Sequence, residues 1–330
     1  MNFSLIIPVY NRPDEVAELL ESLLRQQQLP YEIILVEDGS TLPCNHLLPT
    51  FDGKLPVKYY VKENSGPGLS RNYGAGVATG NYLIFLDSDC ILPPQYVASV
   101  EAYLQNHPVD AFGGPDCADA SFTPVQKAIN QAMTSFFTTG GIRGGRRSME
   151  KFHPRSFNMG ISRQAFETIG GFSSLRFGED IDLSLRLFSA GCKVALIPEA
   201  YVFHKRRTDL KKFFRQVFNS GMARINLFLL HPHSLKMVHL LPTLFTLGWV
   251  TLLLLALLAP LALLPLLLYI LLIFGDTLRQ TGSLQVALLA IPASFVQLIG
   301  YGLGFLWAAV QKFILRREGE VRAFRKTLYK

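Results

Sequence analysis

The chain has 330 residues, a formal net charge of +7, a hydrophobic fraction of 49% and four cysteines. That length holds one large or two ordinary domains. Cys44, Cys90, Cys117 and Cys192 form no Cys-x-x-Cys pair, which argues against a zinc site and fits a reducing compartment.

Residues 3–8 form a short apolar run that predicts a strand. Pro13 then opens a helical pattern through Gln27, with Val16, Leu19, Leu20, Leu23 and Leu24 on one face. Residues 32–36 predict a second strand, ending in Glu37-Asp38-Gly39-Ser40, and residues 57–61 a third. A helix is expected over 68–79 and a buried strand over 82–86. Further on, helices are expected over 93–105 and 179–190, the latter closed by Gly191, and a strand over 193–197. Gly170-Gly171 ends a short helix, and the glycine-rich stretch 140–147 reads as a loop. Strands alternating with helices predict an α/β fold with a mostly parallel, doubly wound sheet. Ligands of such sheets bind at the carboxyl ends of the strands. Residues 8–12, Glu37-Asp38, 62–72 and 87–89 all follow strands and should converge there.

The hydropathy changes sharply near residue 230. Residues 237–274 carry no Asp, Glu, Lys or Arg, and neither do residues 286–310. Runs of about 20 apolar residues span a bilayer as helices. Basic residues flank the region: Lys205, Arg206, Arg207, Lys211, Lys212 and Arg215 before it, then Lys312, Arg316, Arg317, Arg322, Arg325, Lys326 and Lys330 after it. This placement suits anionic lipid headgroups better than nucleic acid. Phe213 and Phe214 fit the apolar face of an interfacial helix. Residues 3–9 are too short for a signal core and follow no basic start. The globular part is therefore expected on the cytoplasmic side of a cell membrane, in a multi-pass protein compatible with an oligomer. The expected division is a globular domain over 1–208, a basic interfacial segment over 209–248, two membrane helices over 249–311 and a basic cytoplasmic tail over 312–330. Within the membrane part the spans are expected near 249–274 and 286–310, with three spans as the alternative.

Asp87-Ser88-Asp89 is the most informative motif. Two carboxylates one residue apart at the end of a core strand are costly to desolvate unless positive charge sits beside them. A divalent cation carrying a diphosphate supplies that charge. Hard oxygen ligands suit Mg²⁺, and Mn²⁺ tolerates an imidazole as well.

Six elements occur in order: Ile7-Pro8-Val9-Tyr10-Asn11-Arg12, Val36-Glu37-Asp38-Gly39-Ser40, residues 64–72 (Asn-Ser-Gly-Pro-Gly-Leu-Ser-Arg-Asn), Asp87-Ser88-Asp89, Gly170-Gly171-Phe172, and Gly178-Glu179-Asp180-Ile181-Asp182. Any one is weak, but the ordered set is specific. It resembles glycosyltransferase family 2, whose nucleotide-sugar-binding domain is GT-A-like, and it covers the chain up to about Lys205. One departure is Glu37, where the family most often carries a second aspartate. The Gln-x-x-Arg-Trp motif of processive polymer synthases is not matched: Arg215-Gln216 and Ala223-Arg224 are only loosely similar, and no tryptophan follows.

The resemblance implies roles. Asp89 is expected as the direct metal ligand, Asp87 as a partner of the ribose or of a metal-bound water, and Ser88 as part of the donor site. His204 should approach the metal or diphosphate. Asp38 should accept a hydrogen bond from the base, Pro8 and Tyr10 should pack on base and ribose, and Arg12 and Arg71 should meet base or diphosphate. Asp180 is the expected catalytic base, removing the acceptor proton as the hydroxyl attacks the anomeric carbon, with Glu179 orienting the acceptor. Asn158 and Arg146 are expected on the acceptor side, with Arg143 and Arg147 in the same loop.

These readings imply an inverting, metal-dependent glycosyltransferase with a nucleotide-diphosphate sugar donor and a lipid-linked or glycan acceptor. Two rivals stand beside it. One is a polyprenyl-phosphate glycosyltransferase resembling dolichol-phosphate mannose synthase, whose acceptor needs no strong base. The other is an inactive nucleotide-binding membrane scaffold, which would be expected to have lost acids that are all present here.

Overall fold

A computed structural model describes residues 1–117, 122–140, 152–204 and 209–321, with the side chain of His204 also outside the description. Arg143, Arg146, Arg147, the run 205–207 and the tail from Arg322 onward lie outside the described residues. In chain order the elements begin β1 (Phe3–Val9), α1 (Pro13–Leu24), β2 (Glu32–Asp38), α2 (Leu48–Phe51), β3 (Val57–Lys62), α3 (Pro67–Val77), β4 (Tyr82–Leu86), β5 (Cys90–Ile91) and α4 (Tyr96–Asn106). They continue with β6 (Ala111–Gly113), β7 (Asp116–Cys117), α5 (Pro124–Thr134), α6 (Phe136–Thr139), β8 (Asn158–Ser162), α7 (Arg163–Thr168), α8 (Glu179–Ser189), β9 (Val194–Leu196) and β10 (Val202–His204). Four long helices follow: α9 (Leu210–Leu230), α10 (Leu241–Ala256), α11 (Leu264–Thr281) and α12 (Leu284–Ala309). They form two compact units. One contains the described residues up to 117 and from 152 to 204, and the other contains 122–140 and 209–321.

The first unit is built on a seven-stranded sheet of order β3-β2-β1-β4-β8-β6-β9. Neighbours β1–β2, β2–β3, β1–β4 and β6–β9 are parallel, while β8 runs antiparallel to both β4 and β6. Side chains alternate across the sheet because a strand has a period of two. Leu5 and Ile7 pack with Val16, Leu19, Leu20 and Leu23 of α1 on one face. Ile6 packs with Ala75, Phe166, Leu183 and Leu187 on the other. With both faces covered, the central strands read as unbroken apolar runs. The chain leaves β1 toward β2 and β3 on one side and returns to β4 on the other. The carboxyl ends of β1 and β4 therefore flank the crevice where ligands of such sheets bind.

Strands β6 and β8 were not anticipated. β8 contains Gly160 in its middle, which weakens a strand pattern. Packing requires that glycine, since a Cβ there would lie 2.1 Å from the Phe112 ring. A second, three-stranded sheet has the order β5-β10-β7. It pairs the His204 backbone with Cys90, one residue beyond Asp89.

In the second unit, α12 is the central helix. Its glycines allow the backbones of neighbouring helices to approach closely. A Cβ on Gly304 would sit 2.0 Å from the Phe218 carbonyl oxygen of α9, and one on Gly302 would sit 2.3 Å from Thr246 Oγ1 of α10. Helix α5 joins this unit through Ala128, Ile129, Ala132 and Met133, which pack with Phe213, Ile273, Ala290 and Ala293. Asp276 of α11 accepts hydrogen bonds from Gln131 Nε2 (3.3 Å), Ser135 Oγ (3.2 Å) and Gln280 Nε2 (2.9 Å). The second unit thus takes in α5 and α6, from within the stretch 1–208, because apolar residues of α5 are buried against the C-terminal helices.

Two helical stretches, Pro260–Thr281 and Leu284–Ile314, are long and apolar enough to cross a membrane. The first expected span, 249–274, is not one helix. The backbone is extended at Ala259 just before a 3₁₀ turn at Pro260–Leu263, so α10 and α11 are separate, and α10 already begins within the stretch expected to be interfacial. Leu257, Leu258 and Leu261 beside this break are each more than 80% exposed.

Candidate active site

The carboxyl ends of β1 and β4 bring Arg12 and the Asp87-Ser88-Asp89 turn together. Arg12 Nη1 donates to Asp89 Oδ2 at 2.6 Å. Ser88 is buried, and Pro8 lies on β1 opposite Val36 with Tyr10 just beyond the strand, both half-buried.

The second acid pair opens α8. Gly178 enters the helix with φ +80°, and Glu179, Asp180 and Asp182 occupy the first turn, where the helix dipole favours negative charge. Asp182 is tied to Arg186 at 2.7 Å. Asp180 Oδ2 lies 3.4 Å from Arg155 Nη1, and its Oδ1 accepts from the Ile181 N–H at 2.8 Å. Burial and the neighbouring Asp180 charge push the Glu179 carboxyl up to about 7, against the pull of Arg71.

The two acid clusters meet at Arg71 of α3. Its Nη2 donates to Asp87 Oδ1 at 2.6 Å and its Nη1 to Glu179 Oε1 at 3.2 Å. Only 2% of the residue is exposed. Arg71 thus lies between the two acid clusters, with a carboxylate on each end of its guanidinium.

Asp38 ends β2 and is buried. Its Oδ1 accepts from Lys62 Nζ at 2.6 Å and from the Ser65 N–H at 2.9 Å, and its Oδ2 from the Gly66 N–H at 2.9 Å. Gly39 turns the chain here with φ +70°, and a Cβ on it would lie 2.8 Å from the Asn64 nitrogen. The departure at Glu37 has a local reason. Its longer side chain accepts from Ser40 Oγ, the Cys44 N–H (2.9 Å) and Tyr59 OH (3.0 Å), partners internal to the fold.

Asn158 is also corrected. It is fully buried, accepts from Tyr96 OH at 2.6 Å and donates to the Ala200 carbonyl at 2.7 Å, so its amide has no face for an acceptor. Arg146 and the His204 side chain lie outside the described residues.

Several site residues went unassigned in the sequence. Asn11, with φ +54°, accepts from the Thr41 and Leu42 N–H groups at 2.7 and 2.9 Å and so fixes the loop after Gly39. Asn72 clamps Phe172 in both directions at 2.8 Å. Both stand inside the ordered motifs, which is the signal that could have found them. Lys62 and Arg155 carry no such signal, since their partners are set by tertiary contact.

Among the described residues, no three His, Cys, Asp or Glu side chains form a group that could hold a metal ion. The donor set still fits a cation such as Mg²⁺, which is commonly bound through one or two carboxylates, substrate phosphates and waters. Asp87 and Asp89 are two such carboxylates, and the strand pairing brings the His204 backbone beside Cys90.

Comparison with known proteins finds similar chains among glycosyltransferases. An uncharacterized glycosyltransferase of Rickettsia felis is 42% identical over 86 residues, covering 26% of this chain and 14% of that protein. An uncharacterized glycosyltransferase of Haemophilus influenzae is 31% identical over 192 residues, covering 56% of this chain and 61% of that protein. The Staphylococcus aureus poly(ribitol-phosphate) beta-N-acetylglucosaminyltransferase TarS is 32% identical over 114 residues, covering 33% of this chain and 20% of TarS. The chain thus spans less than two thirds of each of these relatives. The mannosyltransferase PcManGT from Pyrobaculum calidifontis, solved in complex with GDP-Man and Mn²⁺, shares the fold, with a TM-score of 0.59 at 16% identity over 96% of this chain and 88% of that one. The family model for glycosyl transferase family 2 matches residues 4–170, more than half of the chain. With that match, the six ordered motifs and the GT-A-like sheet, the chain belongs to glycosyl transferase family 2.

Proposed function

We propose that this protein is an inverting glycosyltransferase that moves a sugar from a nucleotide-diphosphate donor to a hydroxyl of a lipid-linked glycan at a membrane. The observation that carries the reading is the network at the carboxyl ends of the strands, in which Asp87 and Glu179 share Arg71 and Asp180 adjoins Glu179. Their shared guanidinium supports reading Asp87 as a donor-side acid and the Glu179-Asp180 pair as acceptor-side acids of one site.

In this reading Pro8 and Tyr10 pack on the nucleoside, Asp38 accepts from the base, and Arg12 and Ser88 line the diphosphate. Asp180 takes the proton of the acceptor hydroxyl. The hydroxyl oxygen forms the new bond to the anomeric carbon from the face opposite the diphosphate, and the old bond's electrons leave with the diphosphate. Asp87, Asp89 and, by its strand position, His204 would hold a divalent cation. When bound, it would offset the charge growing on the leaving group. The Mn²⁺ in the PcManGT complex supports a cation in such a fold.

Membrane attachment is part of the proposal. Large exposed apolar surface on a helical unit marks an interaction with lipid or protein, and α11 and α12 have the length for spans. The catalytic unit is read as cytoplasmic, and membrane attachment supports a lipid-linked acceptor. Arg155 beside Asp180 favours a second reading, transfer to a polyprenyl phosphate, because it places a cation near an arriving phosphate.

The test is transfer from UDP- and GDP-sugars by purified protein with a lipid extract, read by mass spectrometry. Asp180→Ala is expected to lower kcat by about 10²–10⁴-fold, the range of general-base contributions. Full activity of Asp180→Ala or of Asp89→Ala would remove the mechanism, and turnover with bare polyprenyl phosphate would favour the second reading.

A further inference from the structure

Arg71 joins three segments that are remote in sequence: its own helix α3, the turn after β4 and the first turn of α8. Its surroundings are closely packed. The guanidinium lies 5.5 Å from the centre of the Phe172 ring, and the next residue, Asn72, clamps the Phe172 backbone through two hydrogen bonds. Gly68, one turn earlier on α3, has no side chain. A Cβ there would come within 3.3 Å of the Ser173 carbonyl oxygen and 3.5 Å of Glu179 Cγ. Helix α3 therefore packs directly against the segment that leads into Glu179. The geometry needs a fork: Nη2 serves Asp87 and Nη1 serves Glu179, two directions that a guanidinium provides from one plane and an ammonium reaches only as a point charge.

We propose that Arg71 is a positioning residue for the transfer. By holding Asp87 and Glu179 on the two arms of one buried guanidinium, it sets the separation between the donor-side turn and the helix that carries Asp180. The proposal rests on the glycosyl-transfer reading above. Both arms of the guanidinium are engaged by carboxylates, and the residue is 2% exposed. It acts through the carboxylates it holds, and a small displacement between reacting groups is enough to slow a positioned reaction severely.

Two variants test it. In Arg71→Lys the charge remains and the fork is lost. The donor KM is expected to stay within about twofold of wild type while kcat falls about a hundredfold, the scale of loss from a misplacement near 1 Å. An unchanged kcat overturns the proposal. So does a raised donor KM at constant kcat, which would make Arg71 a direct donor contact. The second measurement is a thermal-stability cycle of Arg71→Met, Glu179→Gln and the double variant, which needs no activity. Clearly non-additive Tm shifts are expected from an ion network, and additive shifts overturn it. If wild-type protein turns over no donor, the functional reading fails by itself and the cycle still decides the network.

Discussion

Glu32 and Glu179 show how single carboxylates are set in opposite directions by their surroundings. Burial alone would raise Glu32, but Lys58, Ser4 and the Thr79 and Gly80 amides all bond its carboxylate and hold it near 2. A depressed acid contributes stability that is present above the usual carboxylate range and is lost as pH falls through about 2. Glu32→Gln is expected to destabilise the first unit by about 1.5–3 kcal/mol at neutral pH, the scale of hydrogen bonds to a charged group. A urea titration checks this, and an unchanged midpoint would contradict it. Glu179 has the opposite sign. Its raised carboxyl keeps a proton in the folded state that the unfolded chain has already released. Its contribution is complete below about 4.5 and declines as pH rises toward about 7. Wild-type stability should therefore drop across that interval, and Glu179→Gln should flatten the slope in denaturation midpoints measured at pH 5, 6 and 7.

At the scale of elements, close approach is carried by glycines that no hydropathy pattern singles out. Gly160 lets β8 pass the Phe112 ring, and Gly304 lets α12 lie on the α9 backbone. Gly304→Leu should force α12 and α9 apart and cost about 1–3 kcal/mol, as overpacking does. A lowered Tm of the detergent-solubilised protein is the expected readout, and retention of the wild-type Tm would show that the helices can yield. The break at Ala259–Pro260 follows from proline chemistry, since Pro260 cannot donate to an ongoing helix and restricts the residue before it.

For the whole molecule, the leucines on α10, α11 and the segment between them should make the protein partition with membranes and resist alkaline extraction; recovery in the soluble fraction would overturn the membrane reading. The sequence by itself determined the α/β class, the strand ends that carry the ordered motifs, the family and the apolar character of the C-terminal third. These are encoded locally, in periodicity, turn residues and short spacings, so they are legible one segment at a time. Tertiary structure alone decided that Arg71 spans the two acid clusters, that Asn158 is a buried strut, that Lys62 and Arg155 sit on the acids and that α5 packs with the C-terminal helices. In each case the partner lies far away in the chain, and nothing in a residue's immediate neighbours records which distant charge or apolar face will meet it once the backbone has folded.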